Sequence, residues 1–273
     1  MLKNRLSAAA VPGALAIVVL FGGATATAAG AAAKAPSALV AASLAAAAKQ
    51  NSVHYVATSS LGSQSITIVA DAARAKGQQV ITIRKGKQVG TVAARYDGKA
   101  VYFRANTIGL EGYLGMPNNL APKYSGKWIS FSPSQQDFSQ IAKSMTITSA
   151  IGEISLSAPV KAVSPITVNG TQAVGVTGTT TSLSSSGAKG KATLYMVASG
   201  TPLPVVFTGK GSQKGQTEAG RVAFSRWGER VAPVTPKGAV SAASISAANG
   251  SSSSGSTSST GTPTTSPPTT SGG

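Results

Sequence analysis

The feature that most constrains the fold is a change of hydrophobic period at Ser52. Before it, Ser37 to Gln50 (SALVAASLAAAAKQ) places Leu39, Val40, Ser43, Leu44 and Ala47 on one face at spacings of three and four. Alanine fills the rest and gives the segment high helix propensity. Pro36 precedes it, and Ser37 stands where an N-cap is expected. After Ser52 the period becomes two. Ser52 to Ser60 reads as a strand. Gln64 to Ala70 alternates with Ile66, Ile68 and Ala70 on one side, and Gln78 to Arg84 sets Ile81 and Ile83 against Val80, Thr82 and Arg84. Val89 to Tyr96 opposes Val92, Ala94 and Tyr96 to Thr91, Ala93 and Arg95. Asp97-Gly98 is a tight-turn signal, after which Ala100 to Ala105 returns with Val101 and Phe103 opposed by Tyr102 and Arg104. Charge falls on one face of each strand, which marks that face as wet.

Two helical patterns interrupt the strands. Asn106 to Met116 is short and carries two helix-weakening glycines, Gly109 and Gly112. Asp137 to Met145 has an apolar stripe of Phe138, Ile141, Ala142 and Met145, with Asp137 at its N-terminal end. Strands are then expected at Ile147 to Leu156, Ile166 to Val168, Thr171 to Thr180, Ala192 to Ala198, Leu203 to Gly209 and Gly220 to Arg226, with a loop at Ser184 to Gly190. Asn169-Gly170 is a hairpin turn. The fold class expected is α+β: one large antiparallel sheet of ten or so strands with two or three helices. So wide a sheet twists and tends to curl, which would put the helices on a concave side.

The ends of the chain differ from its middle. Lys3 and Arg5 precede a short apolar run, Ala14 to Phe21, and Ala26-Thr27-Ala28 fits signal cleavage, with Ala24-Thr25-Ala26 as a rival site. A spanning helix would need roughly 20 strongly apolar residues, and Pro12 and two glycines interrupt this stretch. The expected organisation is a signal peptide over 1–29, a linker over 30–36, one domain over 37–248 and a disordered Ser/Thr/Gly/Pro tail over 249–273.

Composition then narrows the chemistry. The 273 residues include no cysteine and one histidine, His54. Disulfides, thiol nucleophiles and multi-histidine metal sites are excluded. A Ser-His-Asp triad would have to pass through His54, and no carboxylate neighbour of it is visible in the sequence. Seven acids leave little for paired-carboxylate catalysis. No cofactor is expected. The 24 Lys and Arg set a net charge of +17. Removing the signal with Lys3 and Arg5 lowers it by two. The cations lack aromatic interleaving and any nucleic-acid motif, so no nucleic-acid partner is expected. Anionic lipid headgroups or acidic wall polymers suit the charge better.

Five segments carry a family resemblance. Ser52-Val53-His54-Tyr55-Val56 follows directly on the first helix. Tyr96 to Phe103 (YDGKAVYF), Gly126-Lys127-Trp128-Ile129, Leu194 to Val205 (LYMVASGTPLPV) and Phe224 to Glu229 (FSRWGE) follow in order. Together they resemble the LolA-like lipoprotein carriers, especially the mycobacterial LppX/LprG group of cell-envelope lipid carriers. The resemblance implies a half-open antiparallel barrel with helices over its mouth, a lipid or lipid-linked glycan as ligand, and no catalytic residues. The group's lipidated cysteine after the signal is missing, which implies a freely secreted form. Acyl chains would then lie against Ile66, Ile68, Ile81, Ile83, Val92, Val101 and Phe103, with Leu110 and Leu114 on a lid.

The expected function is that of an exported, non-enzymatic protein that carries or sequesters a lipophilic ligand. A cell-surface module that binds acidic polymers through its basic face is the second reading, and an envelope-stress sensor domain the third. Trp128 and Trp227 could stack on a ligand, but aromatic residues more often fix strand ends. Arg84-Lys85-Gly86-Lys87 is read as a solvated basic turn.

Overall fold

The computed structural model describes residues 35–135, 138–180, 190–213 and 216–251. The segment read as a signal peptide, Asp137, nearly all of the Ser184–Gly190 loop and most of the tail lie outside the described residues. Helix α1 (Pro36–Ala48) precedes five antiparallel strands: β1 (Ser52–Leu61), β2 (Gln64–Ala73), β3 (Gly77–Lys85), β4 (Gln88–Tyr96) and β5 (Val101–Ala105). Helices α2 (Thr107–Gly112) and α3 (Ala121–Tyr124), strand β6 (Trp128–Phe131), and helices α4 (Phe138–Ser144) and α5 (Ile147–Gly152) follow. Then come β7 (Ser157–Val168), β8 (Thr171–Thr180), β9 (Gly190–Val197), β10 (Pro204–Gln213), β11 (Gln216–Ser225), β12 (Val240–Ser241) and α6 (Ala242–Ser251).

All twelve strands form one sheet, in the order β12-β6-β5-β4-β3-β2-β1-β11-β10-β9-β8-β7. Only β12 pairs in parallel, against β6. Residues directly opposite one another across a strand pair point to the same face. The register therefore sets Val176, Leu194, Phe207, Val222, Ala57, Ile68, Ile81, Val92 and Ala105 in one row across nine strands. That row belongs to a single apolar inner face, and the helices pack on it. One core joins β2–β6 to α2, α3, α4 and α6 through residues such as Ile81, Phe103, Leu110, Ile129 and Ile245. A second joins β1 and β7–β11 to α1 and α5 through Val53, Ile147, Leu194, Met196, Phe207 and Phe224. The opposite face carries Thr67, Val69, Val80, Arg95, Arg104 and Arg221 and faces outward.

Several expectations are corrected. Ser37 does not cap α1. Ala35 is the N-cap and Pro36 takes the first helical position, where its missing N–H costs nothing. Ile147 to Leu156 is not a strand. Ile147 and Ala150 bury one face of the short helix α5 against the second core, joined by Ile154 just beyond its end, which outweighs the β-branched composition that suggested a strand. Strand β7 is far longer than Ile166 to Val168, despite Pro159 and Pro165. It is the sheet edge, where a missing N–H breaks no ladder, and its register slips twice. Helix α6 was not anticipated, and the described helices number six where two or three were expected.

Gly109 of α2 and Gly90 of β4 have a packing role. A Cβ on Gly109 would stand 2.5 Å from the Thr91 carbonyl oxygen, and one on Gly90 would stand 3.3 Å from the Ile108 side chain. The helix thus lies directly on β4. Asn106 holds it there: its Oδ1 accepts from the Gly109 and Thr91 amides at 2.9 and 3.0 Å, and its Nδ2 donates to the Val89 carbonyl at 2.8 Å.

Candidate functional site

The nine residues expected to meet an acyl chain fall in one place. Ile66, Ile81, Val92, Val101, Phe103, Leu110 and Leu114 are buried in the first core, and Ile68 and Ile83 pack against it half-buried. The reason is local. Ile66 and Ile68 on β2 face Ile83 and Ile81 on β3, and Ile81 faces Val92 on β4. The β4–β5 pairing brings Phe103 beside Ala94 and Val101 beside Tyr96. Leu110, fully enclosed, comes down from α2, and Leu114 from the turn that ends it.

Tyr55, on the inner face of β1, and Tyr113, at the end of α2, pack against the second and first cores and were not singled out as site residues from the sequence. Tyr55 sits deep in the protein, on the inner face of β1, yet keeps part of its surface accessible. Burial pushes its phenol up to about 12, and the Glu153 carboxylate and Tyr113 add to the shift. Tyr113 is likewise deep and partly accessible, and burial raises it too. The alternation of β1, with Val53 and Tyr55 on one side, was the available signal.

Glu218 was missed as well. It lies on β11 and is 1% exposed. Its Oε1 has no hydrogen-bond partner among the described residues, nor does Oγ of Ser59 on β1. Burial raises the Glu218 pKa. Phe224 and Val222 both face inward, and the same alternation carried back to Glu218 puts it on the apolar face. The strand expected from Gly220 was too short to show this.

His54 has the carboxylate partner that its sequence neighbourhood lacks. On the outer face of the β1–β2 pair, its Nδ1 is 2.7 Å from Oδ1 of Asp71. Arg226 places Nη2 2.5 Å from the same Nδ1 and 3.3 Å from Asp71 Oδ1, and Gln78 donates to Asp71 Oδ2 at 3.0 Å. Nδ1 can donate to Asp71 or accept from Arg226, according to its tautomer. Arg226 adopts φ of 47°, a left-handed conformation that costs an ordinary residue of order 1 kcal/mol. Ser52 Oγ donates to the Glu229 carbonyl, so that hydroxyl is already engaged. These groups line a pocket of about 90 Å³. Water occupies roughly 30 Å³ apiece, so the pocket suits a few waters and not an acyl chain.

Neither tryptophan is placed as a ligand platform. Trp227 stacks on Phe224 with ring centroids 5.8 Å apart and donates from Nε1 to the Pro204 carbonyl at 3.2 Å. Trp128 faces outward beneath the Arg95 and Arg104 guanidiniums, 4.7 and 5.0 Å from its ring centre. The Arg84–Lys87 segment is an exposed hairpin turn with Gly86 at φ 58°. Among the described residues no cluster of His, Asp and Glu could hold a metal ion, and no helix is long and apolar enough to cross a membrane.

No family model and no curated protein matches the sequence. Solved structures do. LppX, a lipoprotein from Mycobacterium tuberculosis, is 17% identical, with 71% of this chain and 97% of that one covered at a TM-score of 0.43. LprF from Mycobacterium bovis is also 17% identical, with 74% of this chain and 97% of that one covered at a TM-score of 0.50. The likeness expected from the order of five segments is thus found as a likeness of fold: a large, mostly antiparallel sheet with a few short helices, similar to that of LprF.

Proposed function

We propose that this protein is an exported, non-enzymatic carrier that shelters a lipid or lipid-linked molecule between the inner face of the sheet and the helices over it. The observation that carries the reading is one apolar face running across nine strands, on which Tyr55 keeps part of its surface accessible. Ile68 and Ile83, half-buried beside fully buried neighbours, belong to the same accessible strip. The sheet would curl around the ligand, with Leu110 and Leu114 closing over it. Each methylene removed from water contributes about 0.8 kcal/mol, so one long acyl chain offsets the entropy lost on binding. Native mass spectrometry of the purified protein tests this. The expected result is a co-purifying lipid, or uptake of a fluorescent fatty acid at one equivalent. A protein that shows neither is not a carrier.

The outer face favours a second role alongside the first. Val69 and Val80 are 42% and 50% exposed, on the face that also carries Arg84, Arg95 and Arg104. Apolar side chains among cations suit an anionic lipid surface or wall polymer. Sedimentation with vesicles containing phosphatidylglycerol should fall steeply between 50 and about 500 mM salt, where screening is strong. Salt-insensitive binding would exclude the electrostatic role.

A further inference from the structure

The inner face is not uniformly apolar. Toward the β1–β2 and β10–β11 hairpins it crosses a row of small residues: Gly178, Ala192, Gly209, Gly220 and Ser59 stand opposite one another on β8, β9, β10, β11 and β1. The row runs on into Ile66 and Ile83, two of the residues assigned to the lipid site. Glu218 stands one inward position further along β11, paired with Gly211 on one side and Leu61 on the other. It is therefore the diagonal neighbour of Ser59, with their Cβ atoms roughly 7 Å apart. Both side chains are more than nine-tenths buried, and Glu218 Oε1 and Ser59 Oγ lack hydrogen-bond partners among the described residues. A buried polar oxygen without a partner costs about 1–3 kcal/mol, and such atoms are rare in native proteins unless something else meets them.

We propose that Ser59 and Glu218 form the polar end of the lipid site and receive a neutral, hydroxyl-bearing headgroup, such as a glycerol or sugar. This rests on the carrier reading above. The chemistry selects the class by what it rejects. A phosphate or carboxylate would press its own lone pairs and charge against the Glu218 oxygens in a dry site. An ammonium group would satisfy Glu218, but the chain's net charge of +17 repels cationic ligands at long range. Hydroxyls donate to the carboxyl group and both donate to and accept from Ser59. They satisfy the two oxygens without bringing a charge.

The test compares three ligands with one chain length: monopalmitoylglycerol, palmitate and hexadecylamine, titrated into the purified protein by native mass spectrometry. Monopalmitoylglycerol should bind roughly tenfold more tightly than either of the others. Glu218→Leu should bring the three affinities within about twofold while palmitate still binds. Ser59→Ala, which removes a single oxygen and serves if Glu218→Leu does not fold, should reduce the preference about threefold. Equal binding of the three ligands by the native protein, or a preference untouched by the substitutions, overturns the headgroup assignment and leaves the carrier reading standing. Tightest binding of hexadecylamine overturns it in favour of a cation site. Binding of none of the three overturns the carrier reading and the headgroup assignment together.

Discussion

Nδ1 of His54 lies 2.7 Å from Oδ1 of Asp71, across a strand pair in which the two residues stand directly opposite each other. Burial pushes the Asp71 carboxyl up. Hydrogen bonds from Gln78 and His54, with the charges of His54 and Arg226, outweigh that and hold it below the usual carboxylate range. A depressed pKa stabilises the fold above the unfolded value, about 3.9, and that contribution is lost as pH falls through the folded value. The Asp71 side chain is 30% exposed, so the contribution is modest, about 0.5–1 kcal/mol. Asp71→Asn should therefore lower the urea midpoint at pH 7, and the gap to the native protein should close as the pH falls below the usual carboxylate range and through the folded value. A difference that persists unchanged in acid would mean that the charge is not the cause.

Glu218 predicts the opposite slope. Its pKa is raised by burial, so the penalty is absent below the unfolded value of about 4.3 and complete above the folded one. Glu218→Gln removes the ionisation and should stabilise the unliganded protein by about 1 kcal/mol at pH 8, with little effect at pH 4. Denaturant titrations at the two pH values check this. Equal gains at both would point to hydrogen bonding instead of charge.

The contact of α2 with β4 is testable through two glycines of one helix. Gly109→Ala drives a methyl group into the Thr91 carbonyl and should cost about 1–3 kcal/mol. Gly112→Ala meets nothing within 4 Å and should be neutral or stabilise by up to about 1 kcal/mol through helix propensity. Thermal melts of both variants separate the two effects.

Ile68 offers a test of where the ligand lies. Ile68→Trp places a large ring on the half-buried inner strip and should reduce fatty-acid uptake at least tenfold. Val69→Trp, one residue along and on the exposed outer face, should leave uptake unchanged. Fluorescence titration with both variants decides it. Equal loss would place the ligand elsewhere or show that β2 itself is disturbed.

How much of this was legible varies by element. The meander from β1 to β5 was readable to within three residues at each strand end, because half-buried strands alternate and three of the four turns carry a Gly or Asp-Gly signal. Ile66, Ile68, Ile81 and Ile83 could be placed on one face from that alone. Helix α5 was misread because Ile147, Thr148 and Ile151 favour strands, and six residues are too few for a helical period to stand out. Strand β7 was mostly missed because Pro159 and Pro165 argue against an interior strand, and nothing in the sequence says that it is the edge. Short β12 and α6 are held by β6 and the first core, not by their own pattern.

By itself the sequence determined the facing of the strands, the clustering of the nine apolar residues and the scarcity of groups for catalysis. Those follow from local alternation and from counting side chains. Tertiary structure alone decided the rest. Arg226 meets His54 across 172 positions of chain and Asp71 across 155, through the pairing of β1 with both β2 and β11. Glu218 joins Ser59 by the same pairing. Polar partners are chosen by strand order and register, and no local property of the chain encodes which distant strand will lie alongside.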